Sequence, residues 1–152
     1  GQVFPCSVIR SEEELTPADR ERLHLLGAGD VRERFDVLFK GGSRCLVSRT
    51  DAGSLCFVGW MTPLKEYEPA GTKPCVRIER CFTFPDCRGK GVFPSALHAI
   101  CRHVRSSHEW PPTILIETSV FNAGSRRAIE KAGFRATGWL VEILWWRWYR
   151  PA

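Results

Sequence analysis

Two cationic side chains and two glycines stand together at Arg88, Gly89, Lys90 and Gly91, between a strand-like stretch and a helix-like one. Residues 75–84 are rich in β-branched and aromatic side chains, and Pro85 forbids a central strand from continuing. From Val92 the apolar residues Val92, Ala96, Leu97, Ile100 and Val104 recur at helical spacing. Pro94 falls in the first turn, where a missing N–H matters least. The glycines let the backbone tighten and a ligand approach closely. Loop N–H groups and the helix dipole then converge on one place, which suits an anion such as a phosphate. A P-loop is excluded, because Gly89-Lys90 is followed by Gly91 rather than Ser or Thr. A dinucleotide fingerprint is excluded too, because Pro94 stands where its third glycine is needed.

Proton chemistry has fewer candidates. Glu79 lies on the polar side of the 75–84 strand, upstream of the anion loop. It suits a general base, and it equally suits a salt bridge with Arg77 or Arg80. Glu117 and Glu142 are secondary candidates, each placed to end or edge a strand. His24, His98, His103 and His108 form no recognisable constellation. The seven cysteines make no Cys-x-x-Cys pair and have no accompanying His spacing, which argues against zinc or any other metal. They read as reduced, small apolar residues of a cytoplasmic protein.

A second stretch follows the apolar strand 113–118. It begins Asn122-Ala123-Gly124-Ser125 and closes Glu130-Lys131-Ala132-Gly133-Phe134. The two stretches together resemble the GNAT acetyltransferase superfamily. Its Arg-x-x-Gly-x-Gly/Ala loop is matched by Arg88 and Gly91, with Phe93 at the last position. Its Asn-x-x-Ala/Ser and Glu-Lys-x-Gly-Phe segments are matched over 122–134. The resemblance covers residues 76–134; the N-terminal portion fits by element order alone.

This resemblance implies a mixed, mostly antiparallel central sheet flanked by helices. It implies acetyl-CoA as acyl donor, held by Cys81, Phe82, Thr83, Arg88, Gly89, Lys90, Gly91, Val92, Phe93, Asn122 and Ser125. It implies direct acetyl transfer to the amine of a small molecule or peptide, with Glu79 as base and a backbone N–H near Thr83 as oxyanion donor. Asn122 either bonds the pantetheine or simply caps a helix. Many relatives carry a tyrosine where this chain has Ile129, so Tyr67, water or nothing protonates the leaving thiolate. A silent acyl-CoA-binding module and a tryptophan-rich interaction domain are the alternatives.

The 152 residues suit one domain, 1–152, large enough for a real core. Net charge is +5 and the pI about 9.0, which suits an anionic ligand. The basic residues are scattered, which argues against nucleic acid. No apolar run of about 18 residues exists to span a membrane. No signal peptide is visible after Gly1.

Positioning these residues requires a strand over 3–9 and a helix capped by Thr16 with Pro17 at its first position. A second helix over 31–40 and strands over 44–48 and 54–60 follow, joined as a hairpin. Residues 61–74 read as loop. On the strand 75–84, Val76, Ile78 and Phe82 are expected on one face, and Arg77, Glu79, Cys81 and Thr83 on the other. Helices over 92–105 and 125–132 flank the strand 113–118. Residues 137–149 read as one strand with no turn, rich in tryptophan and suited to a homodimer interface.

Overall fold

The computed structural model describes residues 4–25, 35–67, 73–143 and 146–151. Strands β1 (Cys6–Ile9), β2 (Arg44–Arg49), β3 (Leu55–Leu64), β4 (Cys75–Thr83) and β5 (Thr113–Ile116) form one sheet in that order. Neighbours are antiparallel except β4 and β5, which run parallel. A parallel pair needs a crossover, and helix α3 (Val92–Ser106) supplies it. Helices α1 (Pro17–Leu25) and α2 (Phe35–Lys40) lie between β1 and β2, and α4 (Ala123–Lys131) follows β5. Among the described residues no helix is long and apolar enough to cross a membrane.

The sheet is apolar on both faces, so it must be covered twice. One face carries Leu46, Phe57, Met61, Val76 and Ile78 and packs on α3 through Val92, Ala96, Leu97, Ile100 and Val104. The other carries Cys45, Val47, Val58 and Trp60, under Leu23 of α1 and Phe35 of α2. Each large apolar side chain fully removed from water contributes about 1.5–3 kcal/mol. Helix α1 starts as its sequence dictates. The Asp19 N–H donates to Thr16 Oγ1 at 3.1 Å, and the Thr16 N–H donates back to Asp19 Oδ2 at 3.0 Å. Burial pushes the Asp19 carboxyl up, but hydrogen bonds from Arg49 and Thr16 outweigh it and hold the group below its ordinary value.

Several expectations are corrected. β1 begins at Cys6 rather than at residue 3; residues 1–3 lie outside the described ones. Of the helix expected over 31–40, Phe35–Lys40 is observed and 31–34 lie outside the described residues. Residues 61–64 are strand, not loop: β3 runs on to Leu64. Its Pro63 is tolerated because β2 stops pairing at Met61, leaving that side of β3 an edge. The tail is not one strand. β6 (Gly138–Ile143) and β7 (Trp146–Pro151) pair antiparallel as a separate sheet. Residues 144 and 145, between them, carry none of the Gly, Asn or Asp that marks a short hairpin loop. The side chains of residues 141–149 lie outside what is described, and the dimer expectation rests on them.

The largest correction concerns β4. Glu79 pairs with Trp60 and Phe82 with Val58, so Arg80 and Cys81 together oppose the single residue Gly59. This is a β-bulge, with Arg80 at φ 50°. An extra residue reverses the alternation. Phe82 therefore joins Glu79 on the α1 face, while Thr83 opposes Phe57 and Cys81 packs toward the α3 face. The expected grouping of Glu79 with Thr83, and of Phe82 with Ile78, fails for that reason. Gly59 is required here: a Cβ on it would lie 2.7 Å from Phe57 Cζ and 3.2 Å from Cys81 Sγ. Phe57 is fully buried and has nowhere to swing. Gly59→Ala should therefore destabilise the protein by about 1–3 kcal/mol in denaturant unfolding. Unchanged stability would show that the bulge region is loosely packed.

Candidate active site

The parallel pairing of β4 with β5 ends at the rung Ile78–Ile116. Beyond it β4 bulges at Arg80, while the chain after β5 is irregular through to α4. Past that rung the two strands share no ladder pair, which leaves a wedge of unpaired backbone between them. The Phe84 N–H donates to Cys56 O on β3, so by alternation the amide of Thr83 turns the other way, into the wedge. The Thr83 carbonyl, on that side, accepts Arg88 Nε at 3.1 Å.

At the end of β4 the chain makes a short 3₁₀ turn, Pro85–Cys87, and then the glycine loop. Gly89 and Gly91 both take left-handed backbone, φ 75° and 79°. That is the conformation for which glycine was needed. Among the described residues, no acceptor serves the N–H groups of Gly89, Lys90 and Gly91. No side chain caps α3 at Gly91, so the N–H groups of Val92 and Phe93 add to the set. A Cβ placed on Gly89 or Gly91 would meet no atom within 4 Å, so the space in front of the loop is open. The Phe93 ring turns inward and stacks on Phe57 at 5.9 Å between centroids, leaving its backbone to the loop. Arg88 and Lys90 are exposed, and the Arg88 guanidinium lies over the Phe82 ring at 5.6 Å.

One anchor of this loop was not foreseen. Arg22 on α1 donates to both oxygens of Asp86 at 2.7 Å and sits 4.5 Å from the centre of the Phe84 ring. The Arg22 hydrogen bond holds the Asp86 carboxyl below its ordinary value. The partners are 64 residues apart, and no local pattern announces such a pair.

The carboxylates divide. Glu79 Oε1 accepts the Thr62 hydroxyl at 2.5 Å and Oε2 accepts Arg77 Nη2 at 2.7 Å. Of the two salt-bridge partners expected, Arg77 is the one engaged, and Arg80 is the exposed residue of the bulge. Glu117 is the first residue past β5, level with Glu79 on β4, and accepts the hydroxyl of buried Tyr67. Glu142 lies opposite Arg147 in the other sheet. Asn122 Oδ1 caps α4 by accepting the Ser125 N–H at 3.0 Å. Ile129 packs into the core. The Glu-Lys-x-Gly-Phe segment closes α4: the Gly133 N–H bonds Glu130 O and the Phe134 N–H bonds Ile129 O, with Gly133 at φ 88°.

All seven cysteines are free. Burial, and then the nearby Glu79, push the Cys81 thiol up to about 12, so it stays a neutral thiol and a poor nucleophile. The end of β4 therefore offers an anion cradle and an unpaired N–H at Thr83, with Glu79 and Glu117 just past the last paired rung and no activated thiol at Cys81.

A family model described as an acetyltransferase (GNAT) domain matches residues 13–135. The chain belongs to the GNAT acetyltransferase family. No curated protein matches it in sequence. Among solved structures, the GNAT chain resembles aminoglycoside antibiotic 6'-N-acetyltransferase AAC(6')-Ih from Acinetobacter baumannii, at TM-score 0.69 and 19% identity. That match covers 92% of this chain and 96% of the other. Aminoglycoside N-acetyltransferase AAC(6')-Iy in complex with CoA is similar at TM-score 0.66 and 16% identity, over 94% and 98% of the two chains. Glucosamine-6-phosphate N-acetyltransferase from Arabidopsis thaliana follows at 0.64 and 17%, over 93% and 99%. At these identities the likeness is one of fold, and the GNAT fold includes the mostly antiparallel sheet with helices on both faces seen here.

Proposed function

We propose that this GNAT-family chain transfers the acetyl group of acetyl-CoA directly to a primary amine on a small molecule or peptide. The observation that carries this reading is the row of N–H groups from Gly89 to Phe93 that no described residue engages, beside the point where β4 and β5 stop pairing. Five such donors at the N-terminus of a 15-residue helix, with Arg88 and Lys90 beside them, fit a pyrophosphate. The open space before Gly89 and Gly91 lets such a group reach the backbone. The similar fold solved with CoA supports the same donor.

Acetyl-CoA supplies an activated thioester when bound. The chain's part is to hold, orient and move protons. In this reading the backbone of Cys81 and Thr83 borders the wedge, the Phe82 ring supports Arg88, and Asn122 and Ser125 form the turn that follows β5. The inward N–H of Thr83 is the donor for a carbonyl oxygen gaining negative charge. An alkylammonium must lose a proton before it can attack, and Glu79, fixed by Thr62 and Arg77 on the α1 face four residues before Thr83, takes that proton through water rather than by direct contact. The neutral thiol of Cys81 favours direct transfer over an acyl-cysteine route.

Two experiments test this reading. Thermal shift with acetyl-CoA should show stabilisation rising with ligand concentration. Gly91→Leu should fold, at about 1–2 kcal/mol of positive-φ strain, yet lose the shift. A wild type that shows no shift with acetyl-CoA at about 10³ times a micromolar Kd would remove the support for the donor. Glu79→Gln should bind acetyl-CoA normally and turn over about 10²–10⁴ times more slowly, with the loss shrinking at high pH where the amine arrives neutral. Wild-type turnover across the pH range would make Glu79 a partner of Arg77 and nothing more.

A further inference from the structure

A cavity stands apart from the anion loop. Its volume is about 290 Å³, and Ser11, Glu12, Glu13, Arg20, Phe39 and Lys40 wall it. Three elements meet around it: the 3₁₀ turn Glu12–Glu14, helix α1 and the last turn of α2. The turn follows β1, whose Ile9 shares a cross-strand row with Cys45, Trp60 and Glu79. Three strand spacings, about 14 Å, therefore separate Ile9 from Glu79.

The charges on the walls are the unusual feature. Two carboxylates stand on the turn and two cations on the helices. Among the described residues, neither Glu12 nor Glu13 forms an ion pair with Arg20 or Lys40. Their neighbours outside the cavity are committed. Glu14 accepts the N–H groups of Arg10 and Ser11, Asp19 holds Arg49, and Arg22 holds Asp86. Arg20 donates to the Glu12 carbonyl at 3.3 Å, which fixes it at the rim without a carboxylate against it. The cavity thus has a negative wall and a positive one. A wholly anionic ligand would meet two carboxylates there, and a wholly cationic one would meet Arg20 and Lys40. Phe39 adds an apolar surface: its ring is half-buried and packs on Trp60 at 4.9 Å between centroids.

From this arrangement we infer that the cavity binds a small zwitterion, an α-amino acid with an apolar side chain. Its ammonium sits against Glu12 and Glu13, its carboxylate against Arg20 and Lys40, and its side chain on the Phe39 ring. Both ends of a free amino acid are charged at neutral pH, so each end meets its opposite. The site shares no residue with the anion loop and does not depend on the transferase reading.

The test titrates the full chain with leucine, with leucinamide, which lacks the carboxylate, and with N-acetylleucine, which lacks the ammonium. Binding is followed by residue-resolved amide chemical shifts. Leucine should bind with a Kd of about 1 mM or tighter. The shifts should gather at residues 11–13, 20 and 39–40. Each derivative should bind at least about tenfold more weakly, because each leaves one charged wall unmatched. Glu12→Gln with Glu13→Gln should weaken leucine by about tenfold, and so should Arg20→Gln with Lys40→Gln. All four are surface changes, and circular dichroism checks that both variants are folded. Any of four results would overturn the site: no leucine binding up to about ten times that Kd, shifts gathered elsewhere in the chain, derivatives that bind as tightly as leucine, or folded variants that bind leucine like wild type.

Discussion

Parallel strands β4 and β5 stop exchanging hydrogen bonds after Ile78 and Ile116, and the site depends on that interruption. A backbone without a neighbour has amide groups left over, and folded proteins rarely leave such groups without a partner. Here the bulge at Arg80 turns β4 just past the last rung, and Gly59 on β3 makes room for it. The bulge also resets which way every later side chain points. Without it Phe82 would lie on the α3 face, and Thr83 would share a face with Glu79. With it, Phe82 backs Arg88, and Arg88 in turn holds the Thr83 carbonyl.

The anion loop is held from both sides of the sheet. Helix α3 buries a stripe from Val92 to Val104 against one face, which aims its N-terminus at the end of β4. Helix α1 covers the other face and reaches round through Arg22 to Asp86, immediately before the loop. The Arg22 Nη2 is shared between both Asp86 oxygens, a charge-assisted contact that ties the loop's base to α1. The loop is thus preorganised, with its glycines already in left-handed backbone.

How much of this could be read in advance follows from the range of each interaction. The strand, glycine loop and helix of 75–105 were legible, because their signals are local: apolar spacing, Pro85, two glycines and Pro94 in the first turn. The Thr16 cap and the Gly133 closure were legible for the same reason. The bulge was not, since an extra residue in β4 is defined only against its partner Gly59 on β3. The extension of β3 through Pro63 was hidden by a residue that usually ends strands, and only the short reach of β2 permits it. Arg22 with Asp86, Thr62 with Glu79, and Tyr67 with Glu117 join residues 64, 17 and 50 positions apart. Ordinary polar residues meeting across a fold carry no pattern along the chain. The β6–β7 hairpin was missed because its connection lacks turn residues.

The central claim is that the backbone itself, from Thr83 through the glycine loop to the first turn of α3, grips acetyl-CoA. Residue-resolved amide hydrogen exchange with and without acetyl-CoA addresses it most directly. With ligand at about ten times its Kd, the amides of Gly89, Lys90, Gly91, Val92 and Phe93, together with Thr83, should exchange roughly tenfold more slowly. Unchanged exchange at those amides, with protection appearing elsewhere in the chain, would contradict the account.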